Sequence, residues 1–301
     1  MTTTTAPSTK TSQDSTSAVA RRFADAPTWS QRSERSLDHI EVPSTHEIET
    51  DVMENLRPLA MLMIARPVLG TVAFWIAALQ GWWLIAVPLV WLVYGSGVSG
   101  VHHLIHGSMG LSNKARHFWL SALGCLVVES GHALQTTHLL HHRADADLPD
   151  PEGYVENATW AEMPVAATLF RYRLAFWGLR YGRRRKLIAG EMAFHAVAHL
   201  ASLALLPVLP ELWIHVTLLH VASFTFAVFA GKGPQTNWGR AIESPLVRVH
   251  TRLGRIVFFS HDQHLEHHAW PKVPLCRLPK LHEHLEPALA NRKVVDVKLA
   301  L

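Results

Sequence analysis

The sequence predicts an all-α integral membrane protein: four transmembrane helices with a cytoplasmic cap that carries three histidine boxes. Three observations carry this. Only 17% of the residues are charged, against roughly 25% in soluble domains, and the middle of the chain is a succession of apolar runs. Four of those runs are long enough, at about 1.5 Å per helical residue, to cross a hydrocarbon core of about 30 Å. If all four cross, the loops rich in Lys and Arg fall on one side and the two opposite turns carry neither. Cytoplasmic loops hold the basic excess in membrane proteins, so the basic face is the cytoplasmic one.

Taken in order, residues 1–50 are rich in Thr, Ser and acidic residues with almost no apolar run, the composition of a disordered tail. No basic start leads into an apolar core there, so they do not read as a signal peptide. Residues 51–290 form the membrane domain and 291–301 a short C-terminal tail. The first span runs from Pro58 to Gln80, with Arg66 placed to snorkel and Pro67 to bend the helix. After the uncharged turn at Gly81-Trp82 the second span returns from Trp82 to Ser99. Residues 117–134 are apolar but contain Glu129 and His132. They are expected to lie along the interface or re-enter, because a crossing there would put the histidines on either side of it on opposite faces. Leu187–Leu206 and Leu212–Ala230 are the third and fourth spans, joined by a tight turn at Pro207–Glu211. A soluble helical bundle would have to bury all these runs in one core, which their length disfavours.

Composition limits the partners. The net charge of +4 is modest and sits in short loops, which points to membrane topology rather than nucleic acid. Cys125 and Cys276 are far apart and form no Cys-x-x-Cys, so a reducing compartment is expected.

The chain contains 21 His, and eight fall into three boxes: His102 and His106; His138, His141 and His142; His264, His267 and His268. Residues three or four apart share one face of a helix, so each box can aim its rings at one point. Repetition of His-x-x-His-His, with a third pair upstream, is far beyond chance spacing. Neutral imidazole suits iron, zinc, copper and nickel. A zinc ion is satisfied by three or four protein ligands, so eight rings suit two metals with open positions. No carboxylate stands at a ligand position of the boxes, which sets this apart from helix-bundle carboxylate di-iron sites.

These motifs, over residues 58–282, resemble the membrane fatty acid desaturase family, which includes acyl-lipid and sphingolipid desaturases and related hydroxylases and carotenoid ketolases. His102-His103-Leu104-Ile105-His106-Gly107-Ser108 is similar to the family's first box, with His103 where Asp is usual. His138-Leu139-Leu140-His141-His142 matches the second. His264-Leu265-Glu266-His267-His268, followed by Trp270-Pro271, Pro274 and Leu278-Pro279, resembles the third and its Pro-punctuated tail. The resemblance implies two iron ions held by the eight box histidines, O2 as co-substrate, and a lipid or acyl chain beside the metals. It also implies a further nitrogen ligand near the end of the last span. Residues 231–238 contain no His, and His220 is the best substitute, with His195, His199 and His215 as competitors; intramembrane ionisable groups default to functional hypotheses.

A ligating imidazole usually donates its other N–H to a carboxylate or carbonyl. Glu129, Asp145, Asp147, Asp262 and Glu266, with His132 and His261, are near enough in sequence to serve. Breaking an unactivated C–H bond with oxygen needs a metal and two external electrons. The chain has no Rossmann fingerprint, haem-binding domain or iron–sulfur cysteines, so an electron-transfer protein is expected: a ferredoxin, or a cytochrome with its reductase. The main reading is a desaturase of a fatty acyl or related lipid chain; the alternative is a hydroxylase or ketolase on the same scaffold. A zinc hydrolase would need fewer ligands and a Glu between paired His. A metal transport or binding protein would place ligands near the membrane midplane, not at one face.

Overall fold

The structure, a computed structural model, describes residues 52–53, 56–142, 150–228, 247–251, 266–267, 270–289 and 295–299. The two longest apolar runs fold as a helical hairpin, α1 (Leu56–Leu79) and α2 (Trp83–His106), packed side by side. The second run does not stop at Ser99: it remains helical through the first histidine pair, so His102 and His106 occupy the last turns of α2. Gly107 ends the helix in a left-handed conformation at φ +70°. The N–H of Ser108 reaches the His103 carbonyl at 3.1 Å and that of Gly107 the Leu104 carbonyl at 3.3 Å, closing orphan carbonyls as glycine C-caps do.

Residues 117–134 fold as two helices and not as one. α3 (Asn113–Leu126) starts at Ser112, whose hydroxyl accepts the Ala115 N–H, and α4 (Gly131–His141) starts at Ser130, which caps Ala133 in the same way. Between them Val127–Glu129 reverses the chain, with Val128 held at φ +57°, a conformation that costs a β-branched residue about 1–2 kcal/mol. The reversal is tight because the helices nearly touch. A Cβ on Gly131 would collide with the Leu120 carbonyl, and one on Gly124 would lie 2.6 Å from the Gly131 nitrogen.

The polar chain that follows contains α5 (Gly153–Asn157) and α6 (Met163–Tyr181); α7 (Arg185–Ala204) and α8 (Pro210–Phe226) complete the bundle. Among the described residues, three helices, α1, α2 and α7, are long and apolar enough to cross a membrane. Four were expected; α8 is apolar but has 17 residues among those described, about 25 Å at 1.5 Å each. α2 is the most enclosed of the three, while α1 and α7 turn large apolar side chains outward, Met61, Leu69, Phe194 and Leu200 among them. Phe74, Val90, Tyr94, Val127 and Leu219 join α1, α2, the α3–α4 turn and α8 in one core.

Two buried carboxylates fix the α3–α4 hairpin to its neighbours. Glu129, at the tip, accepts hydrogen bonds from Tyr94 of α2 (3.0 Å) and Ser223 of α8 (2.8 Å). Glu191 of α7 accepts from Ser121 and Ser130 (2.6 Å each) and from the backbone and ring of His132 (3.2 and 2.7 Å). Buried carboxylates are tolerated only when their acceptor sites are filled in this way.

The C-terminal region adds α9 (Leu278–Leu289), whose Leu278, Leu281 and Leu285 pack with Val273, Leu275 and Val52 in a separate small core. Outside the helices, the described residues contain two short strands, β1 (Val247–Thr251) and β2 (Val295–Leu299), paired in parallel from Val247 opposite Val295 to Thr251 opposite Leu299. β2 lies within the stretch expected to be a tail.

Candidate metal centre

The two carriers of the first two boxes finish at the same place. α2 delivers His102 and His106 from its last turns, and α4 delivers His138 and His141 with His142 as its C-cap. The i, i+4 spacing stacks each pair on one face: ring centroids are 4.8 Å apart for His102 and His106 and 4.6 Å for His138 and His142. His267 enters from the third box. Ligand atoms of His102, His106, His138 and His267 all lie within 4.8 Å of one another. The Nε2 of His267 is 3.0 Å from that of His102 and 3.0 Å from that of His142, which is in turn 3.2 Å from His138 Nε2. Five rings thus converge.

His141 stands beside this group. Its ring is stacked 5.8 Å from that of His138 and its Nδ1–H donates to Asp150 at 2.7 Å. His138 Nδ1 donates to Glu152 at 3.1 Å. Donation from Nδ1 fixes the tautomer and leaves Nε2 as a lone pair. Burial by itself would raise the Asp150 carboxyl. The His141 ring and the N–H groups of Glu152 and Gly153 outweigh it, so the group lies below the usual range and is a carboxylate at neutral pH.

The donor set fits a metal. Several Nε2 atoms point at each other in a buried space, and His106 Nε2 is buried with no hydrogen-bond partner among the described residues. Where both rings of such a pair carry their proton on Nδ1, their Nε2 lone pairs repel at about 3 Å, and a cation between them relieves this.

The placement of the other expected residues is mixed. His264 and His268, like Asp145, Asp147, His261 and Asp262, lie outside the described residues. Glu129 is at the hairpin tip, bonded to hydroxyls, and not at the histidines. Glu266 is 3.0 Å from His282 Nδ1. His103 turns away, its Nδ1 3.1 Å from the Ser108 hydroxyl. His220 is not brought to the group: its Nε2 is 2.6 Å from His199 Nε2 in α7. The reason is helical spacing. One turn further along α8, Ser223 is tied to Glu129 at the hairpin tip, and α4 rises about 10 Å from there to His138. His215 stacks on Phe74 at 4.3 Å, a packing role.

Asp150 and Glu152 were not foreseen. The signal for them is the acid pair Asp150-Pro151-Glu152 just beyond the second box, separated from it by a segment whose path the sequence does not reveal.

Three helices apolar enough to cross a membrane, with histidines from three distant chain segments gathered at one buried point, define a membrane-associated protein with a histidine cluster that could hold a metal. The chain belongs to the fatty acid desaturase family: the model of that family, described as fatty acid desaturase, matches residues 73–299. Searches of curated proteins and of solved structures give no match. Family and cluster together make this an oxidoreductase-type scaffold that works on lipid in or at a membrane.

Proposed function

We propose that this chain is an oxygen-dependent di-iron desaturase that introduces a double bond into a fatty acyl or related lipid chain at the cytoplasmic face of the membrane. The observation that carries the reading is the convergence of histidine Nε2 atoms from all three boxes, found in a chain of this family. His102, His106, His138, His141, His142, His264, His267 and His268 are the proposed ligands. Two iron ions held there supply the oxygen activation that no side chain provides.

The protein's own part is orientation and exclusion of water. Asp150 and Glu152 hold the His141 and His138 rings in the ligating tautomer and keep their negative charge close to the cations. Glu129 and Glu191 lock the α3–α4 hairpin, so α4 presents the second box rigidly against α2. Buried Leu104 of α2 and Leu120 and Leu123 of α3 pack in one core that keeps water from the centre, and the apolar surroundings receive the chain to be oxidised. Electrons come from a separate protein, a ferredoxin or a cytochrome with its reductase. In the membrane, α8 is the fourth span and the α3–α4 hairpin re-enters from the cytoplasmic side, so all three boxes share that side.

Expression in a lipid-producing host under 18O2, with mass spectrometry of the lipids, tests the reaction. Unsaturated product without label in the lipid is expected. Label retained in the main product would assign a hydroxylase or ketolase instead. In purified form, the protein with nicotinamide cofactor and oxygen alone should be inert, and adding a donor protein and reductase should give turnover. Equal turnover without them would contradict the external-donor assignment.

A further inference from the structure

The outer face of α6 is built to hold something negative. One side of the helix, through Ala166, Ala167, Leu174, Ala175 and Gly178, is buried, with Gly178 in close contact with Ala133 at the start of α4. The other side leaves Val165, Leu169, Tyr172 and Phe176 outward at spacings of four, three and four; Val165 is 60% exposed and Phe176 65%. Such a stripe on a helix that is not itself a candidate span is the pattern of a segment lying in the membrane interface. α5 before it follows directly on Glu152, which bonds His138, and the basic Arg183–Lys186 run after it leads into α7.

On this face lies a groove of about 470 Å³ lined by Arg173, Arg180, Tyr154, Trp177 and Tyr181 and floored by Phe176. Arg173 and Arg180 are seven residues apart, two helical turns, so both look into the same groove. Arg173 is stacked 4.2 Å over the Tyr154 ring and Arg180 lies 5.3 Å over Tyr181. Stacking holds a guanidinium by its face and leaves its edge N–H groups directed outward. Among the described residues no acidic side chain lines the groove, and neither arginine forms an ion pair with a described residue.

We propose that this groove is a binding site for an anionic phospholipid of the cytoplasmic leaflet, with its headgroup between Arg173 and Arg180 and its acyl chains along the Leu169–Phe176 stripe. Charge complementarity selects the occupant. Two guanidiniums in a cleft with no acid among its described lining residues match a phosphate, which guanidinium binds in a fork, and the adjoining exposed apolar stripe matches the chains. A soluble phosphate ester would leave that stripe uncovered; a neutral lipid would leave the charges unmatched. The site needs only that the protein sits in a membrane, and holds whichever reaction the metal centre performs.

Native mass spectrometry of the purified full-length protein in neutral detergent tests it. The probes are phosphatidylglycerol, phosphatidylcholine and glycerol 3-phosphate. Phosphatidylglycerol is expected to bind, with the other two at least tenfold weaker. Each basic residue beside an anionic lipid contributes about a fivefold factor, so Arg173→Gln/Arg180→Gln should weaken binding roughly twenty- to thirtyfold. The charge-matched Arg183→Gln/Arg184→Gln should change it less than threefold. If the double variant does not fold, Arg180→Gln alone should cost about fivefold. Equal losses in the two double variants would reduce the effect to bulk charge, and glycerol 3-phosphate binding as tightly would mean an anion site without lipid; either result overturns the proposal.

Discussion

At the level of single residues, the carboxylates behind the histidines decide how well a metal is held. Asp150 and Glu152 take the Nδ1–H of His141 and His138, which fixes the tautomer and raises the basicity of the ring. Removing such a partner costs about 10- to 100-fold in metal affinity. Asp150→Asn and Glu152→Gln should therefore bind iron that far more weakly, as read by competition with a chelator, while the thermal midpoint of the metal-free protein changes little. Unchanged affinity in both variants would show that these acids do not support the ligands. The gathering of His102, His106, His138 and His142 was legible in the sequence because their four-residue spacings survive into a helix face. Their acid partners were not, because nothing in the nine residues of spacing between His141 and Asp150 specifies that approach. His220 has the chemical signal of an intramembrane histidine, and its depth along α8 places it beside His199.

Helices and turns set the positions of those residues. α4 is the element on which the second box depends, and it is held by close packing at Gly131 and by the carboxylates of Glu129 and Glu191. Gly131→Ala should leave little folded protein, since its methyl would occupy the place of the Leu120 carbonyl. Gly107→Ala is a measured contrast: it forces alanine into the left-handed region and should destabilise by about 1 kcal/mol. Glu191→Ala leaves the Ser121, Ser130 and His132 donors without their acceptor and should destabilise by roughly 2–4 kcal/mol. Thermal or denaturant unfolding in detergent checks all three, and the order Gly131, Glu191, Gly107 is the expected one. Sequence periodicity found the long apolar helices to within a turn at most ends. It placed the end of α2 too early because Gly100 and the histidines look like a boundary, whereas the helix stops only at Gly107. The α3–α4 reversal was harder to see: Val127-Val128 reads as apolar helix, and the left-handed Val128 is imposed by Glu129 and the packing around it.

For the molecule as a whole, the account requires one arrangement in the membrane. The proposed arrangement puts the histidine end of the bundle on the basic, cytoplasmic side and the Gly81-Trp82 and Pro207–Leu209 turns on the other. In a Cys125→Ser/Cys276→Ser background, a cysteine at Ser112 should react with a membrane-impermeant reagent from the cytoplasmic side only. One at Val208, 76% exposed in the opposite turn, should react from the other side only. Labelling of both from one side would remove α7 or α8 from the spans.

The central claim is that rings from all three boxes hold two iron ions in one site, and metal analysis of the purified protein tests it most directly. The account predicts two iron atoms per chain in the wild type, and loss of most of that iron in both His141→Ala and His267→Ala while the helical content is kept. A single tightly held zinc in the wild type, or full iron content in His267→Ala, would contradict it.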